Sequence, residues 1–193
     1  MITHIQGKLV ELNPAYAVID CNGVGYILHI SLNTYSELGD TESCKLFSYL
    51  VIKEDSHTLY GFSKKLERKV FGMLISVSGV GASTARVILS SMRSEEIRDA
   101  IVQEDVALIQ SVKGIGAKTA QRIILDLKDK MLKAFDDIDI SLKLGNRNRE
   151  EALSALEVLG FPSKSVHKLV DNLLETNSLM EVEELVKQAL KKL

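Results

Sequence analysis

The chain has 193 residues, with 24 Lys and Arg against 26 Asp and Glu, for a formal net charge of −2. Hydrophobic residues make up 46% and charged residues 26%, which suits packed cores in one domain or in two or three small ones and excludes a disordered or collagen-like chain. No apolar run reaches the length of a membrane span and no basic-then-apolar leader opens the sequence, so a cytoplasmic protein with no membrane partner is expected.

Residues 1–62 read as strands. Ile2, Ile5, Leu9, Val10, Val18, Ile19, Val24, Tyr26, Leu28 and Ile30 fall in short β-favouring runs. Asn13-Pro14 and Asn22-Gly23 are turn dipeptides between them. A breaker-rich stretch, 36–43, precedes two more strands, 44–53 and 58–62. About five short antiparallel strands in roughly sixty residues predict a small barrel of the OB type. Such barrels often stack bases on aromatic side chains. Here Tyr26, Phe47, Tyr49, Tyr60 and Phe62 alternate with polar residues, as core positions do, and base stacking is the weaker reading.

Between the last two strands stands Lys53-Glu54-Asp55-Ser56-His57. It is either a solvated hairpin tip or an acidic pin. Two adjacent carboxylates on a stiff hairpin, set in a basic surface, would repel phosphates by several kT and hold nucleic-acid backbones apart. Cys21 and Cys44 lack CxxC spacing and read as reduced core thiols. His4, His29, His57 and His167 are scattered, so neither a metal site nor a cofactor is expected.

Helices follow. Ser63 reads as a cap for a helix carrying Leu66, Val70, Phe71, Leu74 and Ile75. Residues 76–88 then read Ser-Val-Ser-Gly-Val-Gly-Ala-Ser-Thr-Ala-Arg-Val-Ile, and 111–123 read Ser-Val-Lys-Gly-Ile-Gly-Ala-Lys-Thr-Ala-Gln-Arg-Ile. The offset is a constant 35: Gly79, Gly81, Ala82, Thr84, Ala85 and Ile88 return as Gly114, Gly116, Ala117, Thr119, Ala120 and Ile123. Between the copies, Ser94 with Glu96 opens a helix over 95–103, and Asp105 caps another over 106–112. The longest helix is expected over 119–135.

In each copy two glycines permit a tight turn at positive φ and leave no side chain in the way. The turn feeds a helix N-terminus, where backbone N–H groups are free and the dipole favours a phosphate. Val80 and Ile115 would plug inward. Lys118 and Arg122, four apart, share a helix face and can add cationic contacts. This is the helix-hairpin-helix pattern of DNA-backbone binders. The candidate DNA-binding residues are Gly79, Val80, Gly81, Ser83, Thr84 and Arg86 in the first copy, and Gly114, Ile115, Gly116, Lys118, Thr119 and Arg122 in the second. A chain of net charge −2 must then gather its cations on one face.

The stretch 116–119 is not a P-loop. Ala117 stands where the glycine before the lysine is required, and Val112 where the first glycine is required. A helix-hairpin-helix glycosylase or nuclease would need a nucleophilic Lys, an activating Asp or a carboxylate set near the hairpin. Asp126 and Asp129 alternate with Lys128 and Lys130 like a solvated face, so no catalytic residue is assigned. A tether of DNA to a repair assembly is a further alternative.

Residues 136–149 break the pattern with Asp136, Asp137 and Asp139, then Gly145-Asn146-Arg147-Asn148, and read as a flexible linker. Residues 150–193 predict three short helices. Ala152, Leu153, Leu156 and Leu159 form a stripe that Gly160 stops; Val166, Leu169, Val170 and Leu173 stripe the second, and Val182, Leu185, Val186, Ala189 and Leu190 the third. So small a unit has little room for catalysis and reads as a protein-docking module or a packing unit.

The order of these parts resembles the RuvA family of Holliday-junction-recognition subunits, over nearly the whole chain. The residues that carry the likeness are Gly23-Val24-Gly25-Tyr26, Lys53-Glu54-Asp55 with Leu59-Tyr60-Gly61-Phe62, the two hairpins, and Ala152-Leu153 with Leu156, Leu159, Gly160 and Phe161. The resemblance implies a multidomain α+β fold: an OB-type β-barrel at 1–63, a tandem helix-hairpin-helix domain at 64–135, a linker at 136–149 and a UBA-like three-helix domain at 150–193. It also implies a homotetramer, alone or as two tetramers around one four-way junction, that grips phosphates without reading bases. Glu54 and Asp55 match the family's acidic pin. Leu153, Leu156, Leu159, Gly160 and Phe161 fall in the domain that docks RuvB, a hexameric ATPase, and RuvC, a junction endonuclease, joins the larger complex. Where family members often carry a Lys after the first hairpin, Ser83 and Thr84 stand, with Arg86 beyond.

Overall fold

The computed structural model describes the backbone of residues 2–39, 41–177 and 180–192, and the side chains of these except 136–147, 164, 175 and 176. The strands are β1 (His4–Leu12), β2 (Tyr16–Cys21), β3 (Val24–His29), β4 (Ser43–Ile52) and β5 (His57–Phe62). They close into a barrel in the order β1-β2-β3-β5-β4, with β4 returning onto β1. The β3–β5 pairing, through His29 and Tyr60, is parallel, whereas β1–β2, β1–β4, β2–β3 and β4–β5 are antiparallel. The expected OB-type barrel is therefore present. Its period-two alternation points Ile5, Ala17, Ile19, Leu28, Ile30 and Leu46 inward. Local chemistry sets the register. Asn13 Oδ1 accepts from the N–H groups of Ala15 and Tyr16 at 2.9 and 3.0 Å. Asn22 and Gly23 take positive φ, 55° and 91°, in the two-residue turn between β2 and β3.

One element was not expected. Helix α1 (Leu32–Leu38) lies between β3 and β4 and overlaps the start of the breaker-rich stretch 36–43, where no helix is predicted. Ser31 caps it by accepting from the Thr34 N–H. The signal was present: Leu32, Tyr35 and Leu38 recur every third residue behind a Ser cap and ahead of Gly39. At seven residues the helix is too short to hold itself.

The helical region runs α2 (Lys65–Ile75), α3 (Ala82–Ser91), α4 (Ser94–Val102), α5 (Val106–Gln110) and α6 (Ala117–Val158). Phe71 of α2 packs on Tyr49, Tyr60 and Phe62 of the barrel, with ring centroids 5.3, 4.9 and 5.0 Å apart. These aromatics thus join barrel to helices. Contrary to the expectation, Ser63 does not cap α2; Lys64 stands at the cap and the Ser63 hydroxyl donates to Glu37 Oε2 at 2.5 Å. Glu96 closes the start of α4 by accepting from the Arg93 N–H at 2.7 Å, which puts Ser94 inside the helix. Asp105 caps α5 as expected, accepting from the Leu108 N–H at 2.9 Å.

The chain divides into two units, Met1–Leu132 and Lys133–Leu193. Helix α6 is one element over Ala117–Val158, where a break was expected. The side chains of 136–147, most of the expected linker, lie outside those described. In the second unit, the end of α6 packs with α7 (Ser163–Thr176) and α8 (Val182–Leu190) around Leu156, Val166, Val170 and Leu185. Gly160, at φ 92°, ends α6: the Phe161 N–H reaches back to the Leu156 carbonyl at 3.2 Å and the Gly160 N–H to that of Glu157 at 2.9 Å. Among the described residues no helix is long and apolar enough to cross a membrane.

Candidate nucleic-acid interface

The repeated stretch folds twice into one geometry. Gly79 and Gly114 both take left-handed φ, 92° and 91°. The Val80 N–H donates to the Val77 carbonyl at 3.0 Å, and the Ile115 N–H to that of Val112 at 3.1 Å. Val80 and Ile115 are each 5% exposed, so both plug inward as predicted. Ser76 and Ser111 return their hydroxyls to carbonyls three residues back, Met73 at 2.7 Å and Leu108 at 2.6 Å. The Ala85 and Ala120 N–H groups close the first helical bonds onto Gly81 and Gly116, both at 2.9 Å.

The second glycine of each copy corrects an expectation. Gly81 sits at φ −82° and ψ 166° as the N-cap of α3, and neither it nor Gly116 is left-handed. An N-cap must be extended, so only the first glycine makes the turn. A Cβ added at Gly81 or Gly116 would meet nothing within 4 Å. The fold leaves room for a side chain there. Glycine keeps that space open above the bare N–H groups of 82–84 and 117–119, which have no partner within their own helices. Val80 and Ile115 have already used their N–H groups and buried their side chains, so they support this surface rather than form it.

The two copies differ in side chains. Around the second elbow Lys113, Lys118 and Arg122 are exposed, and none makes an ion pair with a described residue. Arg122 Nη1 lies 3.4 Å from the Ser78 carbonyl, across to the first elbow. The first elbow carries the hydroxyls of Ser78 and Ser83, both exposed, and of Thr84. Its one cation, Arg86, donates through Nη1 to the Ala15 carbonyl at 2.8 Å, in the turn between β1 and β2.

Glu54 and Asp55 occupy the corner of the β4–β5 hairpin, closed by the Lys53 N–H donating to the Ser56 carbonyl at 2.8 Å. Both carboxylates are exposed, and neither forms an ion pair with a described residue. The tail stripe is corrected by burial. Leu153 and Leu156 are 6% and 0% exposed and lie in the three-helix core, so neither can touch a partner. Phe161 is half-buried against that core. The exposed apolar pair is Leu159 with Val158, at 59% and 85%. Val158 was missed because it stands off the stripe, which is why it is exposed.

A closed OB-type barrel with an acidic hairpin tip, followed by two copies of one helix-hairpin-helix elbow, defines a tandem helix-hairpin-helix protein built on a barrel. Family models agree in chain order: residues 1–61 match "RuvA N terminal domain", 71–129 match "SAM-like Helix-hairpin-helix tandem", and 147–193 match "RuvA, C-terminal domain". The chain is 55% identical to a protein of Christiangramia forsetii and 56% identical to one of Flavobacterium psychrophilum, each over the full length of both chains. A Cytophaga hutchinsonii protein is 48% identical over 99% of each chain. All three are named Holliday junction branch migration complex subunit RuvA. The chain belongs to the RuvA family.

Proposed function

We propose that this protein binds four-way DNA junctions through their phosphates, holds them open, and recruits the RuvB ATPase motor for branch migration in recombination and repair. The observation that carries the reading is the doubled elbow: two sets of bare helix-start amides, each behind an open glycine, in a chain whose relatives are named for this complex. Amides and lysines contact phosphate without sequence readout. Glu54 and Asp55 act at the crossover, where they repel backbones and keep strands apart. The DNA-binding set is the one read from the sequence less the buried supports Val80 and Ile115, with Gly81 to Thr84 and Gly116 to Thr119 supplying amides and Lys118 and Arg122 supplying charge.

The protein itself is non-catalytic and cytoplasmic, and ATP hydrolysis belongs to the motor. Residues 1–63 form the pin-bearing barrel, 64–135 grip DNA, 136–149 join them to the tail, and 150–193 dock RuvB through Leu159, Val158 and the neighbouring turn at Gly160 and Phe161. Four copies surround the junction, singly or as a pair of tetramers, and RuvC joins the larger assembly. A gel shift at moderate salt tests this. The four-way junction is expected to bind tightly and salt-sensitively, well ahead of linear duplex. Equal affinity for both sinks the reading, and cleavage of any nicked, damaged or junction DNA with magnesium replaces it with a nuclease.

A further inference from the structure

The Glu67 carboxylate is 5% exposed, on the first turn of α2, with no cationic side chain bonded to it. Its partners are two hydroxyls, one on the N-cap of α1 and one in its first turn. Ser31 Oγ bonds Glu67 Oε1, and Thr34 Oγ1 donates to Glu67 Oε2 at 2.7 Å. Both hydroxyls already accept from backbone: Ser31 from the Thr34 N–H at 3.0 Å, Thr34 from the Ser63 N–H at 3.1 Å. Each therefore has its single proton to give, and both protons go to the carboxylate. Among the described residues no buried side-chain polar atom is left without a partner.

The network sits where three functional parts meet. The Ser63 N–H lies just past the end of β5, the strand that comes down from the acidic tip. Glu67 belongs to α2, the first arm of the first elbow. The other arm, α3, is held by the same short helix: Asn33 Nδ2 donates to the Leu89 and Met92 carbonyls at 2.6 and 3.0 Å, and the Leu32 N–H donates to Ser90 Oγ at 3.1 Å. Helix α1 thus grips both arms of the first elbow and the root of the pin hairpin. A buried carboxylate is a poor choice for stability alone, since apolar replacements of such groups are often neutral or better. A satisfied polar network does what an apolar contact does not: its directional bonds admit one arrangement.

We propose that Glu67 is a positioning residue for junction recognition: through Ser31 and Thr34 it fixes the first elbow relative to the pin-bearing barrel, so that phosphate grip and pin can engage one junction at once. A linear duplex needs only the elbows. A junction needs elbows and pin together, and simultaneous engagement is lost when geometry drifts. The proposal rests on the junction-binding reading above.

The test measures affinity for a four-way junction and for linear duplex, beside melting temperature, in the full-length wild type and in Glu67→Met, Glu67→Gln and Asn33→Ala. Glu67→Met is expected to stay folded, to keep duplex affinity within about twofold, and to lower the junction-over-duplex ratio about tenfold. Glu67→Gln keeps one acceptor and should recover most of that ratio, which a plain packing role would not predict. A folded Glu67→Met with a ratio within about twofold of wild type overturns the proposal, as does a parallel loss of both affinities. Should Glu67→Met fail to fold, Asn33→Ala decides: a loss of about threefold supports the proposal, and an unchanged ratio ends it. A wild type without preference for the junction removes the functional reading itself, an outcome distinct from an unmoved variant.

Discussion

The two elbows share a backbone and differ in the charge around it. Gly79 and Gly114 agree within a degree in φ, and Val80 and Ile115 are equally buried. Yet the second elbow is ringed by Lys113, Lys118 and Arg122, all exposed, while the first offers Ser78, Ser83 and Thr84 and ties Arg86 to the barrel. The first elbow is braced by α1, whereas the second continues into the longest helix. Duplication copied the shape that presents amides. It did not copy the charge. We read the second elbow as the main source of salt-sensitive affinity and the first as the aligned, weaker grip.

The largest effect should come from removing that charge. Lys118→Ala with Arg122→Ala is expected to weaken every DNA alike, roughly 50-fold near 0.1 M salt, and to flatten the slope of log affinity against log salt by about two. In the first elbow, Ser83→Ala, at the position that matches Lys118, combined with loss of its cation in Arg86→Ala, should cost no more than about threefold. Equal losses in titrations of the two double variants would break the comparison.

Next come the glycines. Gly81→Ala and Gly116→Ala put a methyl group into empty space at an N-cap. Folding loses about 0.5–1 kcal/mol of cap preference and regains a similar amount of unfolded-chain entropy. Melting should barely move while DNA affinity falls about tenfold, because the methyl group stands over the bare amides. Gly79→Ala reverses the pattern, since its left-handed φ costs about 1–2 kcal/mol in any L-residue. Calorimetry beside a binding titration separates the two. Retained binding in Gly81→Ala would mean that nothing approaches that amide.

The smallest effect concerns the footing of the first elbow. Burial pushes the Glu67 carboxyl above the usual range, although the bonds from Ser31 and Thr34 and the charge of Lys64 pull it back and Glu37 pushes with burial. The folded protein therefore holds this proton where the unfolded chain has released it. Stability from this group is full below the ordinary carboxylate range and is lost as pH rises through the raised value. As pH rises from the ordinary carboxylate range through the raised value, urea unfolding of the wild type should lose more stability than that of Glu67→Gln. Glu104 and Asp171 are held low by Lys128 and Arg149 and act in the opposite sense, but equally in both proteins; Glu37, held low by Lys64, also acts in the opposite sense and shares its coupling to Glu67 with the difference being measured. Parallel curves would show that Glu67 does not titrate there.

The barrel and the elbows were legible because each rests on local chemistry: alternation in β1 to β5, turn residues at 13–14 and 22–23, and one motif written twice. Helix α1 was not, although a three-residue spacing marked it. Its stability lies in bonds to Glu67 and to the end of α3, tens of residues away in sequence. The candidate site was legible as a list and wrong in part as a geometry. Periodicity picked out Leu153 and Leu156 as a face but did not say which way the face points, and burial turned it inward. A Gly-x-Gly spacing likewise cannot tell a turning glycine from one that stands clear of an approaching ligand.

The contact from Arg122 to the Ser78 carbonyl has one more consequence. It strings the jaws of the grip together at their tips, in a unit whose interior is filled by buried side chains. A tie of this kind couples the two tips, so that the spacing between them is set by the protein before anything is bound.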